Sequence, residues 1–374
     1  MRIGYDAKKA VSNLTGIGNY SRRIINAVSK EDASTEVLLF APHKTNVKAT
    51  REITVPTKTV NPSKRGALPL LWWRNTGMCK DIKECNVEIF HGLSNELPFG
   101  IHKLSCKTVV TIHDLIFRIL PHTFGWADRH ILTLKTQYAC KHADCVVAVS
   151  ECTKRDIIKL YGTPEDKIKV VYQSINDIFR TPLPKEQCEK VRQERNLPEK
   201  YILCVGTIEE RKNQATVVEA LRWLPEEYHV VLVGGRTPYA KTIDDIVERC
   251  NLKDRVHIVS GLSNIELPAL YQMATVFALM SRYEGFGIPI AEALAMGTPV
   301  IAAKGSCLEE AGGHDSIYLS PDDAKGLADN VLKIESDETL RQNMVSKGKE
   351  YSLLFTDEMQ AKAMLNIYKG LTTH

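Results

Sequence analysis

Short apolar runs alternate with amphipathic stretches along almost the whole chain. In the first half these runs predict strands at residues 2–6, 36–40, 87–90, 107–112, 145–149 and 168–172. In the second half they predict strands at residues 201–205, 230–233, 256–260 and 275–280, with another after Pro299. The stretches between them have helical periodicity, as at residues 151–161 and 322–334. This alternation predicts an α/β fold with a parallel, doubly wound sheet in each half.

The length of the chain indicates how many domains it forms. At 374 residues the chain is too long for one ordinary hydrophobic core and suits two domains. We predict a first domain at residues 1–178 and a second at residues 179–355. The boundary falls in residues 173–184, where Asn, Asp and two prolines interrupt the periodic pattern, and this segment is also the predicted hinge.

Composition excludes several classes of protein. Hydrophobic residues make up 44% of the chain and charged residues 25%, as in soluble globular proteins. We expect no signal peptide and no membrane span, because the first residues are polar and no apolar run approaches about 20 residues. The ten cysteines show no paired spacing and predict buried free thiols in a reducing, cytoplasmic compartment. A net charge of +4 suits an anionic substrate or membrane surface and does not require nucleic acid.

The strongest candidate site lies in the second half, after the strand at residues 275–280. Glu284 stands in the loop that follows the strand, and Glu292 lies eight residues later on the next predicted helix. Between them Gly285 and Gly287 flank Phe286, so the backbone can approach a ligand and present N–H groups at a helix start. Two carboxylates and an anion site suit a ligand with phosphates and sugar hydroxyls. Alternatively, both acids are solvated and the glycines only shape a turn.

A second motif begins where the strand at residues 201–205 ends. Gly206 opens a turn that reaches Arg211, Lys212 and Asn213 at the start of a helix. Arginine binds phosphate through two nitrogens and lysine adds a point charge, so this arrangement predicts a pyrophosphate clamp. The alternative is a solvated run of mixed charge.

In the first half the candidate ligand loops are shorter. Gly16, Gly18 and Asn19 lie between the first strand and the first long helix, where parallel sheets bind anions. His113 and Asp114 end the strand at residues 107–112, at the same edge of the predicted sheet. A histidine at that edge is either a structural hydrogen-bonding group or a catalytic one. We favour the structural role for His91 and the catalytic role for His113.

Together these motifs resemble the retaining, nucleotide-sugar-dependent glycosyltransferases of family 4, most closely their mannosyltransferase-like branch. The resemblance spans nearly the whole chain and is strongest over residues 201–320. It implies the GT-B architecture, with two Rossmann-like domains facing each other across a cleft. The first domain would bind the acceptor, the second would bind the donor, and a last helix at residues 356–374 would join the first domain.

The resemblance also implies roles for individual residues. Glu284 and His113 would be the catalytic residues near the transferred sugar, and Glu292 would hold the ribose of the donor. The remaining donor contacts would be Arg211, Lys212, Gly206, Phe286, Gly287 and Ile288. The acceptor or phosphate loop would be Gly16, Gly18, Asn19 and Asp114. Family members carry Asn-Gly-hydrophobic-Asp after the last strand of the first domain, whereas this chain has Gln-Ser-Ile-Asn-Asp at residues 173–177, so we assign no ligand role there.

The implied reaction is transfer of a hexose from GDP-mannose or a UDP-sugar to a glycan or lipid-linked acceptor, as in cell-surface polysaccharide or lipopolysaccharide synthesis. No Asp-x-Asp pair is present to hold a divalent metal, so we expect a metal-independent reaction without a cofactor. Two alternatives remain, an epimerase of the same architecture and a non-catalytic sugar-nucleotide-binding subunit. Residues 64–74, which mix basic residues with leucines and tryptophans, predict either a peripheral contact with a membrane surface or a core helix with a basic rim.

Overall fold

A computed structural model describes residues 1–63 and 66–372 of the chain. The chain forms two compact units. The first runs from Met1 to Ser174 and includes the chain from Asp357 onward, and the second is Ile175–Thr356. Within the described ranges, no helix is both long enough and apolar enough to cross a lipid bilayer.

The first unit is built on a seven-stranded parallel sheet, in the order β3-β2-β1-β4-β5-β6-β7. Its strands are β1 (Arg2–Asp6), β2 (Glu36–Phe40), β3 (Lys58–Val60), β4 (Ile89–Gly92), β5 (Lys107–Ile112), β6 (Cys145–Ala148) and β7 (Ile168–Val170). Its helices within residues 1–174 are α1 (Lys8–Ser12), α2 (Gly16–Glu31), α3 (Val47–Arg51), α4 (Ala67–Trp72), α5 (Met78–Glu84), α6 (Ile116–Ile119), α7 (Trp126–His142) and α8 (Glu151–Tyr161).

The second unit has a six-stranded parallel sheet, in the order β10-β9-β8-β11-β12-β13. Its strands are β8 (Lys200–Val205), β9 (Tyr228–Val233), β10 (Val256–Val259), β11 (Val276–Leu279), β12 (Val300–Ala303) and β13 (Ile317–Leu319). Its helices are α9 (Lys185–Glu194), α10 (Gln214–Glu219), α11 (Ala240–Arg249), α12 (Glu266–Met273), α13 (Ile288–Met296), α14 (Leu308–Gly312), α15 (Ala324–Ser336) and α16 (Glu338–Ser352). The last helix, α17 (Asp357–Thr372), belongs to the first unit.

Both faces of the first sheet are buried, which explains the continuous apolar runs of its strands. Val37 and Leu39 point into a core shared with α2 and α17, while Leu38 and Phe40 point into a second core on the other face. Helix α17 contributes Met364, Leu365 and Tyr368 to the first of these cores. The predicted fold of two parallel α/β sheets is therefore confirmed.

Two strands were not predicted, β3 and β13. Each is only three residues long and lies at the edge of its sheet, and neither contains a fully buried residue. Edge strands of this kind carry no apolar run for a pattern to detect. The longer central strands β1, β2 and β5 have the predicted bounds.

The core-helix interpretation of residues 64–74 is correct only for Trp73, which lies in a core, and for Leu70, which packs against it. Lys64 and Arg65 lie outside the part of the chain that the structure describes. Helix α4 contains no buried residue, and Leu68, Leu71 and Trp72 are between 54% and 79% exposed. The helix then passes into a π-helical turn, Trp73–Gly77, in which Trp73 is buried. Arg74 does not form a solvated rim, because two carboxylates hold it in a buried position.

In each sheet the strand order reverses direction at one place, and parallel sheets bind ligands beyond the carboxyl ends of the strands at such a point. In the first unit the reversal lies between β1 and β4, and in the second it lies between β8 and β11. We call these two places the first and the second switch point. They locate the regions of the molecule where ligand-binding side chains are expected.

Candidate functional site

The second switch point brings together two of the predicted motifs. Arg211 and Lys212 lie on the 3₁₀ turn that follows β8, and Glu284 lies in the loop that follows β11. Arg211 Nη1 is 2.6 Å from Glu284 Oε2, and Lys212 Nζ is 3.1 Å from Glu284 Oε1. Arg211 also contacts the carboxylate of Glu209 and donates to the carbonyl of Tyr283. Adjacent strands of the sheet therefore place two cations around one carboxylate.

Glu284 is held as an anion. Only 12% of its side chain is exposed, and burial alone would raise its pKa, but Lys212 and Arg211 outweigh that effect and lower the pKa to about 2. Ser281 Oγ donates a further hydrogen bond to Glu284 Oε1 at 3.0 Å. The carboxylate is therefore charged at neutral pH and able to accept hydrogen bonds from hydroxyl groups.

Two glycines of the motifs are required by the backbone. Gly206 has φ +140°, and a Cβ there would lie 2.9–3.0 Å from three atoms of the Lys212 side chain, which crosses over it. Gly287 has φ +122°, and a Cβ there would lie 3.1 Å from both Ala311 and Leu308. Any other residue at either position would be strained and would displace its neighbours.

The start of α13 presents free donors. Helix α13 has Gly287 at its N-cap, no side-chain cap and no acidic residue in its first turn. In the described chain the N–H groups of Gly287 and Ile288 form no hydrogen bond with the protein. Such a helix start favours an anion. Phe286 is 3% exposed and packs edge-to-face against Phe355, so this residue can reach a ligand only through its backbone.

Glu292 does not join the Glu284 cluster. It lies on α13, half-buried, and its Oε2 accepts a hydrogen bond of 2.8 Å from the hydroxyl of Tyr271 on α12. Tyr271 is fully buried between Phe179 and Phe277, and burial together with the neighbouring Glu292 charge raises its pKa well above the usual value. The tyrosine therefore remains a donor and fixes one oxygen of Glu292.

The loop predicted at Gly16, Gly18 and Asn19 is wrong, because these residues form the first turn of α2. Side chains that the sequence pattern did not indicate hold this turn in place. Arg22, which is 2% exposed, donates to the carbonyl of Asn13 and to the side-chain oxygen of Asn19. A Cβ at Gly18 would lie 2.0 Å from the carbonyl oxygen of Asn13, so Gly18 is required by packing. Gly16 has nothing within 4 Å of its Cβ position, so the fold does not require a glycine there.

His113 is 6% exposed and lies just beyond β5. Its Nε2 is 2.8 Å from the carbonyl of Leu93, and its ring packs edge-to-face on Tyr20. Burial lowers its pKa to about 4 despite the hydrogen bond to Leu93, so the ring is neutral at physiological pH. Because Leu93 offers only an acceptor, Nε2 carries the proton and Nδ1 is an acceptor.

Two further residues near His113 have structural partners. Asp114 Oδ1 accepts from the N–H of Ile116, and the carbonyl of Asp114 accepts from Asn95. His91 is fully buried, with its ring nitrogens at 2.6 Å from the Tyr368 hydroxyl and 2.8 Å from Thr111 Oγ1. This agrees with the structural role favoured for His91.

Sequence reasoning missed the residues that hold these groups in place. They are Arg22, Asn95, Tyr271 and Ser281, together with Asn213, whose side chain donates to the carbonyls of Met280 and Pro321. Asn213 was noted only as part of its motif. Among residues 1–63 and 66–372, no three His, Cys, Asp or Glu side chains are grouped so as to hold a metal ion.

Comparison with known proteins extends over both units. The family model for Glycosyltransferase Family 4 matches residues 14–177, and the model for Glycosyl transferases group 1 matches residues 186–351. O-antigen chain mannosyltransferase B of Escherichia coli is 26% identical over 99% of this chain and 100% of its own length. O-antigen chain mannosyltransferase RfbU of Salmonella typhimurium is 30% identical over 76% of each chain.

Solved structures share the fold at lower identity. Anabaena Alr3699/HepE in complex with UDP and glucose superposes with a TM-score of 0.78 at 18% identity, covering 99% of this chain and 100% of that one. Sucrose-phosphate synthase from Thermosynechococcus elongatus gives a TM-score of 0.78 at 22% identity, covering 100% and 99%. The two parallel-sheet units and these matches define a glycosyltransferase of the GT-B class. Within that class, the chain belongs to glycosyltransferase family 4.

Proposed function

We propose that this glycosyltransferase moves a mannosyl residue from GDP-mannose to a glycan acceptor during synthesis of a cell-surface polysaccharide, with retention of anomeric configuration. The observation that carries the proposal is the Arg211–Glu284–Lys212 cluster at the second switch point. It combines cations for a diphosphate with an ionised carboxylate for sugar hydroxyls. The choice of mannose draws on the names of the two O-antigen mannosyltransferases that resemble this chain.

The diphosphate of the donor would occupy the space beside Arg211 and Lys212 and at the start of α13. Negative charge develops on the diphosphate as the sugar departs, and prearranged cations and N–H groups stabilise that charge without reorganising. Arg211 and Lys212 are 13% and 14% exposed, so their charges are only partly screened by water. We propose that they replace a divalent metal, so that the reaction is metal-independent.

The two carboxylates would divide the rest of the donor between them. Glu284, charged and beside the cations, would accept hydrogen bonds from hydroxyls of the mannosyl group and fix the position of its anomeric carbon. Glu292, with one oxygen fixed by Tyr271, would accept the ribose hydroxyls. Hydrogen bonds from a neutral donor to a charged acceptor contribute roughly 1.5–3 kcal/mol each.

The proposed glycosyl transfer needs no separate general base. The bond between the anomeric carbon and the diphosphate oxygen breaks, and the acceptor oxygen bonds to the same face of that carbon. The proton of the acceptor hydroxyl passes to the departing diphosphate. In the first unit, neutral His113 would accept a hydrogen bond from the acceptor through Nδ1. The first turn of α2, with Gly16, Gly18 and Asn19, would bind the acceptor together with Asp114.

We also propose that the enzyme acts at the cytoplasmic surface of a membrane, through α4. Leu68 and Trp72 on this helix are 79% and 67% exposed, and two basic residues, Lys64 and Arg65, precede it in the sequence. All ten cysteines are free thiols, which supports a reducing compartment. Leu68→Ser should reduce co-sedimentation with vesicles of phosphatidylglycerol and phosphatidylethanolamine, whereas Leu353→Ser, at a leucine of the second unit that is 60% exposed, should not. Equal loss in both variants would contradict the assignment to α4.

Donor binding is tested by thermal unfolding in the presence of EDTA. A ligand at 100 times its dissociation constant stabilises the folded protein by about 2.7 kcal/mol. We expect GDP-mannose to raise the melting temperature more than GDP does, and UDP-sugars to raise it less. If no sugar nucleotide stabilises the protein, the proposed donor site is wrong.

Transfer itself is tested with Glu284→Gln. The variant keeps the size of the side chain but loses its charge, and we expect kcat to fall by roughly 10²–10³-fold, as when one transition-state contact is removed. Glu248→Gln removes an exposed carboxylate of the same unit and serves as the matched control. Transfer by Glu284→Gln at the wild-type rate would remove Glu284 from the reaction.

A further inference from the structure

The first switch point carries a polar cluster to which neither the sequence motifs nor the comparisons assign a role. Asp6 is the last residue of β1, and Glu96 follows β4, so the two carboxylates lie beyond the ends of the strands that flank the reversal. Arg74 reaches them from the π-helical turn, and Lys135 reaches Glu96 from α7. This is the same place in the first sheet that Arg211, Lys212 and Glu284 occupy in the second.

The contacts within the cluster are short and partly or fully buried. Arg74 Nη2 is 2.9 Å from Asp6 Oδ2 and 3.3 Å from Glu96 Oε2, and Lys135 Nζ is 3.0 Å from the same Glu96 oxygen. The exposed fractions of the Arg74 and Asp6 side chains are both 8%. π-helical turns occur often at functional sites, and here the turn directs Arg74 inward.

Lys8 completes the cluster and leaves it with excess positive charge. It begins α1, two residues after Asp6, and its backbone N–H donates to Asp6 Oδ1. Within the described residues its ammonium group forms no hydrogen bond or ion pair. Burial and the charge of Arg74 lower its pKa, while Glu96 and Asp6 act in the opposite direction. Three cations and two carboxylates therefore lie at this switch point, and among the described residues Lys8, which is half-buried, has no ion-pair partner.

We propose that Lys8, Arg74 and Lys135, held in place by Asp6 and Glu96, form an anion subsite that binds a phosphate group of the acceptor glycan. The proposal rests on the proposed function, since an acceptor exists only for a transferase. It deepens that function by assigning the acceptor to the class of phosphorylated glycans. Lys8 makes the direct contact, and the start of α2, which carries Gly16 and Gly18, follows α1 in the chain.

Charge favours a phosphate over a neutral sugar. The cluster has three cations and two carboxylates, so its formal charge of +1 suits an anion better than a neutral sugar. A phosphate offers three oxygens and at least one negative charge, which matches the ammonium of Lys8. An ion pair between the half-buried Lys8 ammonium and a phosphate is less screened by salt than an ion pair on the protein surface.

The experiment distinguishes binding at this subsite from binding at Arg211 and Lys212. The protein is first saturated with GDP, so that Arg211 and Lys212 are occupied, and is then titrated with mannose 1-phosphate or with mannose while binding is followed by calorimetry. We expect mannose 1-phosphate to bind and mannose to bind much more weakly. Lys8→Gln should weaken binding of mannose 1-phosphate at least ~10-fold, the loss expected for a charged hydrogen bond. Lys30→Gln, which removes the same charge at the far end of α2, should change nothing.

The outcomes distinguish the two proposals. Failure of GDP to bind would count against the proposed function and not against the subsite. If GDP binds but mannose 1-phosphate binds no better than mannose, or if Lys8→Gln and Lys30→Gln behave alike, the anion subsite is overturned. Lys8→Arg keeps the charge and should retain binding, which excludes an effect through misfolding. Equal binding of mannose 1-phosphate and of inorganic phosphate would show an adventitious anion only.

Discussion

The two switch points of this enzyme carry the same kinds of charge in different arrangements. In the second unit both cations, Arg211 and Lys212, are consecutive in sequence and share one carboxylate. In the first unit the cations come from three separate elements, and the central one, Arg74, is buried between two carboxylates. Arg211 and Lys212 are 13% and 14% exposed, whereas Arg74 is 8% exposed and contacts two carboxylates.

This difference suggests a division of labour within each cluster. A buried ion pair offsets its own desolvation only when its partners are all present, so Arg74 acts mainly as a structural centre. The half-exposed Lys8 is left for binding. At the second switch point no such division is expected, because the residues that hold the loop are also those proposed to bind the donor.

Removing the buried cation of the first unit should have the largest effect. We expect Arg74→Met to lower the free energy of unfolding by about 3–5 kcal/mol, because Asp6 would remain buried without its ion-pair partner and Glu96 would keep only Lys135. Denaturant titration measures this change, with Arg155→Met on the exposed face of α8 as the control. If the two variants have equal stability, Arg74 is not a structural centre and the contrast between the two clusters fails.

The charge state of Glu284 predicts a pH dependence for the second unit. Its folded pKa, about 2, lies below the ordinary 4.5, so its stabilising effect is complete above the ordinary value and is lost as pH falls through both values. Between about pH 5.5 and pH 2 the wild type should lose on the order of 3 kcal/mol that Glu284→Gln does not lose. Denaturant midpoints over this range test the prediction. If the denaturant midpoints of the wild type and Glu284→Gln change with pH in parallel, Glu284 is not an ion-paired carboxylate with a lowered pKa.

A smaller effect should follow from loss of the Tyr271 hydroxyl. Tyr271→Phe keeps the packing against Phe179 and Phe277 but frees Glu292, and we expect GDP to bind about tenfold more weakly, as for one charged hydrogen bond. The matched ligand is 2′,3′-dideoxyguanosine diphosphate, which lacks the ribose hydroxyls. Its affinity should be the same for both proteins. An equal loss for both ligands would mean that Tyr271 acts on the fold and not on Glu292.

The smallest effects should separate the two glycines of the first unit. Gly18→Ala would push a methyl group against Asn13 and should destabilise the protein by roughly 1–3 kcal/mol. Gly16→Ala meets open space and should stabilise it by about 0.4–1 kcal/mol. If the start of α2 binds the acceptor, Gly16→Ala should nevertheless raise the KM for the acceptor. Similar melting temperatures for the two variants would contradict the described packing of this helix start.

The fold was largely predictable because its signal is local. Central strands buried on both faces appear as apolar runs, and α8 has the bounds predicted from the helical periodicity of residues 151–161. The short edge strands β3 and β13 have no such signal. Their position depends on neighbours that the chain pattern does not identify.

The candidate site was predictable only where its residues are close in sequence. Arg211 and Lys212 are adjacent, and Glu284 and Glu292 are eight residues apart, so a motif could indicate them. Arg74 and Asp6 are separated by 68 positions, and Lys135 and Glu96 by 39, so only the folded sheet brings them together. For the same reason the contact of Tyr271 with Glu292, which depends on how α12 packs against α13, was not predicted.

The buried bond between His91 and Tyr368 has a practical consequence for protein engineering. His91 lies in β4, whereas Tyr368 belongs to α17, which follows the whole second unit in the chain. A hybrid enzyme joined at a single point near residue 174 would combine the sheet of one parent with the closing helix of another. Exchange of acceptor specificity between relatives should therefore use two junctions, with residues 357–372 transferred together with the sheet they complete.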